Sequence, residues 1–335
     1  MKIKNSVYSI SPDVSIVLMC LGMLIACPLR IFQMLKNMNP QTGFYNDYGS
    51  VTIIILYALL AVISVLILVL TFLSSRIPAA KAPEGRRIPL GISSFIFAAT
   101  LFYDAISSYF NKGESPATII QNIRSVSVMH HVHAVFAFLS CCYFIVMCIS
   151  YISGNNLHKK LKLLSLAPLA WAIVRVLERI TIIISIVRVS ELLLELCALV
   201  FLMIFFLTFA RVVSDVNCKG SMWSVISCGC MSVLFMLTYS IPRLMLLFTG
   251  NADNLVSGYP VNFSDLGCAL FILIFVVTSL RSGYTVEDVE DMLAETADGE
   301  EEKESDEEKE VPKPKTDSDG NIIISKQNDS DTAEQ

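Results

Sequence analysis

The chain is a succession of long apolar runs separated by short polar segments. The runs cover about 14–34, 51–73, 89–110, 127–152, 163–186, 190–211, 222–248 and 263–281. At a helical rise of about 1.5 Å per residue, each is long enough to cross a hydrocarbon core of roughly 30 Å. Lipid offers no partner for backbone N–H and C=O groups, so such runs are helices that satisfy those groups internally. The pattern predicts an all-α, polytopic integral membrane bundle of about eight transmembrane helices. Residues 1–13 form a polar leading segment, and 14–281 form the membrane domain. Leu24-Ile25-Ala26-Cys27 resembles a lipoprotein cleavage box, but Pro28 follows it, and the first run reads as a retained span.

The apolar pattern stops at Arg281. Thr285 and Asp288 have the spacing of a helix start, and Val286, Val289, Met292 and Leu293 make a short amphipathic stripe. The sequence GEEEKESDEEKEVPKPKTDSDG then follows, too charged and too poor in apolar residues to fold alone. Residues 282–335 read as an acidic, largely disordered cytoplasmic tail. Through Asn321-Ile322-Ile323-Ile324 the tail also offers a docking segment for the basic loops or a cytoplasmic protein partner.

Composition agrees. The chain is 54% hydrophobic and 16% charged over 335 residues, too little charge to cover a soluble protein of that size. The net charge of −5 hides an uneven distribution, with the acids in the tail and the bases in short loops. Lys2, Lys4, Arg76, Lys81, Arg86, Arg87, Lys159, Lys160, Lys162, Arg211, Lys219 and Arg281 fall on one side. Only Lys36, Lys112, Arg124 and Arg188 fall on the other. The positive-inside bias puts the first set, and both termini, in the cytoplasm of a multi-pass cell-membrane protein. The ten cysteines lie mainly within apolar runs and have no disulfide or zinc spacing.

Charge inside the spans changes the picture most. The stretch WAIVRVLERITIIISIVRVSELLLE carries Arg175, Glu178, Arg179, Arg188, Glu191 and Glu195. A charged side chain at mid-membrane costs roughly 2.5–3.5 kcal/mol on insertion scales, so such residues pair or serve a function. Helical rise puts Arg175 roughly 18 Å, Asp104 about 22 Å and Arg30 about 24 Å from the cytoplasmic face. Glu191 and Glu195 open an inward-running helix. His130, His131, His133, Arg243 and Asp265 sit at the outer edge. The expected arrangement is a polar layer confined to the outer half. In it Arg175, Arg179 and Arg30 or Arg243 face Glu178, Glu191, Glu195 and Asp104.

Two readings of this layer compete. In one it only fixes helix register, and Arg30, Arg243, Asp265 and the histidines are interfacial or snorkelling. In the other it lines an outward-facing site of a transporter-like or solute-binding protein. Arginine forks there suit a small polar or anionic ligand. The candidate site residues are Arg175, Glu178, Arg179, Glu191, Glu195, Asp104, Arg30 and Arg243. His130 and His133 lie one helical turn apart and offer a weak metal pair with Asp104 or Glu195.

No catalytic motif is present: the chain lacks HExxH, GxSxG, a P-loop and a glycine-rich dinucleotide loop. No cofactor is expected, and no basic folded domain suggests nucleic acid. Asn262-Phe263-Ser264 fits a glycosylation sequon but abuts the eighth run. Pro28-Leu29-Arg30 and Pro242-Arg243 occupy similar places on outward-running helices, a faint sign of an internal repeat. The alternative to a solute site is an accessory or sensor subunit. Its ion network would be structural, and its tail would bind a partner.

Overall fold

The computed structural model describes residues 12–37, 39, 45, 47–74, 82–83, 85–110, 123–155, 157, 161–182, 189–214, 221–251 and 261–281. The acidic tail, its 321–324 segment, residues 1–11 and most of the basic loop residues lie outside that set, as does Arg188.

The elements are all helical: α1 (Asp13–Phe32), α2 (Asp47–Leu73), α3 (Ile88–Phe110), α4 (Ile123–Ser153), α5 (Ala167–Ile182), α6 (Val189–Val213), α7 (Ser221–Phe248) and α8 (Phe263–Leu280). Seven of them are long and apolar enough to cross a membrane. The exception is α5, expected as a span over 163–186. It is described as 16 residues preceded by a 3-10 turn, Leu164–Leu166, and it carries Arg175, Glu178 and Arg179. The protein is a multispanning helical membrane bundle, and among the described helices α5 carries the densest charge.

Large apolar side chains face outward, as lipid contact requires; Phe72 is 74% and Leu24 73% exposed. Helix α7 is the most enclosed, buried along nearly its whole length. It packs against α1, α2, α6 and α8, while α3 packs against α4 and α8, and α5 lies against α4 and α6. Between helices in lipid there is little hydrophobic drive, so close packing and polar contacts hold the bundle. Gly267 on α8 allows one such approach: a Cβ there would overlap Thr100 Oγ1 on α3. Gly91 on α3 does the same against Ile152 on α4.

The centre is aromatic. Phe97, Phe144 and Phe271 pack in tilted and edge-to-face contacts, with centroid separations of 4.5 Å (Phe97–Phe144) and 4.8 Å (Phe144–Phe271). Phe206, Phe209 and Phe275 extend the cluster. Trp171 joins it edge-on through Phe97, at 6.0 Å, and turns its indole N–H to the polar layer. A rigid apolar plug therefore forms the floor of the charged end of the bundle.

Candidate functional site

The charged residues converge because of where they sit on antiparallel helices. Arg30 lies in the last turn of α1 and Arg179 in the last turn of α5, while Glu191 and Asp265 lie in the first turns of α6 and α8. Each sign matches the partial charge of its helix terminus, a favourable contribution of about 0.3–1 kcal/mol per site. Up-and-down packing then brings those ends together.

Two clusters result, linked by Tyr239. In the first, Glu191 bridges two guanidiniums: Arg30 Nη2 donates to its Oε1, and Arg243 Nη2 donates to its Oε2 at 2.7 Å. Arg30 Nη1 also donates to Gln33 Oε1 at 2.9 Å and to the Tyr45 hydroxyl at 2.5 Å. Gln33 opens the π-helical turn Gln33–Asn37 that follows α1. Arg30 is 0%, Arg243 1% and Glu191 1% exposed, which makes this a buried triad with one positive charge in excess.

The second cluster is larger. Arg175 forks onto Asp265, donating from Nη1 to Oδ1 and from Nη2 to Oδ2, the latter at 3.2 Å. Its Nη2 also lies 3.4 Å from Glu195 Oε1, and Arg179 Nε donates to that same oxygen at 2.9 Å. The Arg175 guanidinium sits 5.1 Å over the Trp171 ring. Tyr239 donates its hydroxyl to Asp265 Oδ2 at 2.9 Å, and its ring lies 4.9 Å beneath the Arg243 guanidinium.

Beside this network lies a histidine–carboxylate chain. His130 Nδ1 is 2.7 Å from Glu178 Oε1, and His133 Nδ1 is 3.1 Å from Glu178 Oε2. On its other side, His133 Nε2 is 3.4 Å from Asp104 Oδ2, an ion-pair contact that is long for a hydrogen bond. Trp171 Nε1 reaches the same Asp104 oxygen at 3.4 Å, and Ser108 Oγ lies 3.2 Å from His133 Nδ1. Asp104, Ser108, His130, His133 and Glu178 line a cavity of about 140 Å³, together with Arg175, Arg179 and Asn262. A cavity of roughly 150 Å³ accepts a benzene-sized molecule, so this one has room for about six non-hydrogen atoms.

The pairing differs from the sequence expectation in three ways. Glu178 bonds to two histidines of α4 and not to an arginine, because α5 turns it toward α4. Asp265, expected at the membrane edge, is 0% exposed and is the main partner of Arg175. Arg30, Arg243 and His133 are likewise buried and paired, not snorkelling. The pattern of the sequence gives no sign that Tyr239, Gln33 and Tyr45 are partners of these charges. Asp265 carries the one available signal, a lone acid opening a long apolar run.

Of the expected site residues, Asp104, Glu178, Arg175 and Arg179 line the cavity, Glu195 backs it, and Arg30, Arg243 and Glu191 form the separate triad. His130 and His133 both turn Nδ1 to Glu178. Among the described residues, no three His, Cys, Asp or Glu side chains are placed to hold a metal ion. Ser264 of the expected sequon is buried.

No family model, no curated protein and no solved structure matches the chain.

Proposed function

We propose that this is a solute-binding, transporter-like protein of the cell membrane. Its 140 Å³ cavity faces outward and takes a small polar solute. The observation that carries this reading is the cavity itself. A clamp that only fixed helix register would close on its own charges, as the Arg30–Glu191–Arg243 triad does. The histidine–carboxylate chain instead leaves Asp104 and Glu178 side chains 18% and 13% exposed at a cavity wall. Intramembrane ionisable groups around a cavity typically mark solute or proton paths. Both termini are cytoplasmic in this reading, which rests on the one-sided distribution of lysine and arginine.

The test is a small-solute screen by thermal stability of the purified protein. A ligand that binds only the folded state stabilises it by RT ln(1 + [L]/Kd), about 2.7 kcal/mol at a hundredfold excess over Kd. At least one polar solute of about six non-hydrogen atoms is expected to raise the midpoint, and Asp104→Asn and Glu178→Gln are expected to remove that rise. A screen in which nothing stabilises the wild type, or in which both variants respond equally, removes the reading. The alternative is an accessory subunit whose acidic tail engages a cytoplasmic partner. It predicts that deleting 282–335 strips co-purifying proteins and leaves insertion intact.

A further inference from the structure

The ligand's chemical class follows from how the charges pair. This inference rests on the solute-binding reading and narrows it. Among the described residues, the two linked clusters hold four guanidiniums, Arg30, Arg175, Arg179 and Arg243. Together with the histidine–carboxylate chain beside them, they hold five carboxylates, Asp104, Glu178, Glu191, Glu195 and Asp265. With neutral imidazoles, the layer lacks one positive charge.

His133 marks where that charge belongs. It is 4% exposed and stands between two carboxylates. A neutral imidazole has one N–H and serves one of them; an imidazolium serves both. Yet Nε2 makes no aligned hydrogen bond: it is buried, without a hydrogen-bond partner, and 3.4 Å from Asp104 Oδ2 on the cavity wall. His130 faces a single carboxylate, Glu178, through Nδ1. The Arg175 fork is occupied by Asp265 and Glu195, and Arg179 Nε by Glu195. Both Nη atoms of Arg175 and the Nε of Arg179 are thus already engaged by acids. What the cavity presents near His133 is acceptors: the Asp104 and Glu178 carboxylates, with the Ser107 and Ser108 hydroxyls beside them.

We propose that the cavity binds a small organic ammonium ion between Asp104 and His133, in exchange for a proton carried by His133. The Nε2–H bond breaks and the proton passes to cavity water, while Nδ1–H remains on Glu178. One ammonium N–H then donates to Asp104 in place of the imidazolium. A second donates to the Nε2 lone pair, and a third is left for a serine hydroxyl. Charge balance is the same before and after. The groups facing His133 are Asp104 and Ser108 from α3, His130 from its own α4, and Glu178 from α5. Arg175, Arg179 and Asn262 also line the cavity, and Glu195 and Asp265 pair with its arginines.

The test uses the full chain, purified in weakly buffered detergent with a pH indicator, and three probes of one shape: n-butylammonium, n-butanol and n-butyrate. Only n-butylammonium is expected to bind, releasing close to one proton per molecule bound. Its apparent affinity should weaken tenfold for each unit fall in pH on the acid side. His133→Gln is expected to bind the ammonium ion more weakly, and what binding remains should show neither the proton release nor the pH dependence, which a purely structural histidine would not do. Sodium and potassium chloride should release no proton.

Preferential binding of n-butyrate overturns the cation assignment while leaving a solute site. Ammonium binding without proton release overturns the exchange, and proton release by sodium or potassium as readily as by the amine overturns the organic cation. If none of the three probes binds, this inference falls, and the solute-binding reading stands or falls on the screen described above.

Discussion

Glu191 holds two buried guanidiniums at once, and nothing else in the triad carries negative charge. Removing one member of a buried ion pair leaves an uncompensated charge and typically costs about 3–5 kcal/mol. Glu191→Leu is therefore expected to be among the most damaging single changes, read as a large fall in the thermal midpoint in detergent. Arg179→Leu should fall less, because Arg179 is partly exposed and Glu195 keeps Arg175. Equal effects of the two would count against the triad as the main clamp. The sequence already singles out these residues, since charge within an apolar run is visible without a structure. It does not reveal partners. Which acid meets Arg175 depends on how α5 and α8 are turned, and a flexible guanidinium reaches Asp265 across 90 positions in the chain.

Helix ends are more legible than side-chain pairing. The runs at 89–110, 222–248 and 263–281 correspond to α3 at Ile88–Phe110, α7 at Ser221–Phe248 and α8 at Phe263–Leu280. Apolar length and polar breaks fix those limits physically, because lipid excludes an unsatisfied backbone. The fifth run, expected over 163–186, is described as α5 only to Ile182. Close helix approaches are not visible at all. Gly267 is an ordinary glycine in the sequence, but in the bundle it lets α8 touch α3 at Thr100, two residues from Asp265. Gly267→Ala should therefore push α8 outward, at about 1–3 kcal/mol for an overpacked contact. Thr100→Ala in the same chain should recover most of that loss. A double variant no more stable than Gly267→Ala alone would show that the contact is not the cause.

At the scale of the whole molecule, an apolar aromatic floor and a charged end divide the bundle. The sequence discloses that division through helical rise and loop charge, because the charged positions away from the cytoplasmic ends of the spans fall toward the same side. A cavity within the charged layer is beyond it, since a cavity depends on the angles at which α3, α4 and α5 meet. Orientation has its own check: a reporter fused after Arg281 should be active in the cytoplasm, and an extracellular signal would invert the assignment of sides. The most direct test of a solvent-reached, outward-facing cavity is thiol labelling of Ser108→Cys, on a background without the native cysteines. Ser108 lines the cavity beside His133. A membrane-impermeant reagent applied to intact cells is expected to modify the introduced thiol, and Ala98→Cys, buried on α3, should stay unmodified. A Ser108→Cys variant that reacts only after the membrane is opened, or not at all, contradicts the account.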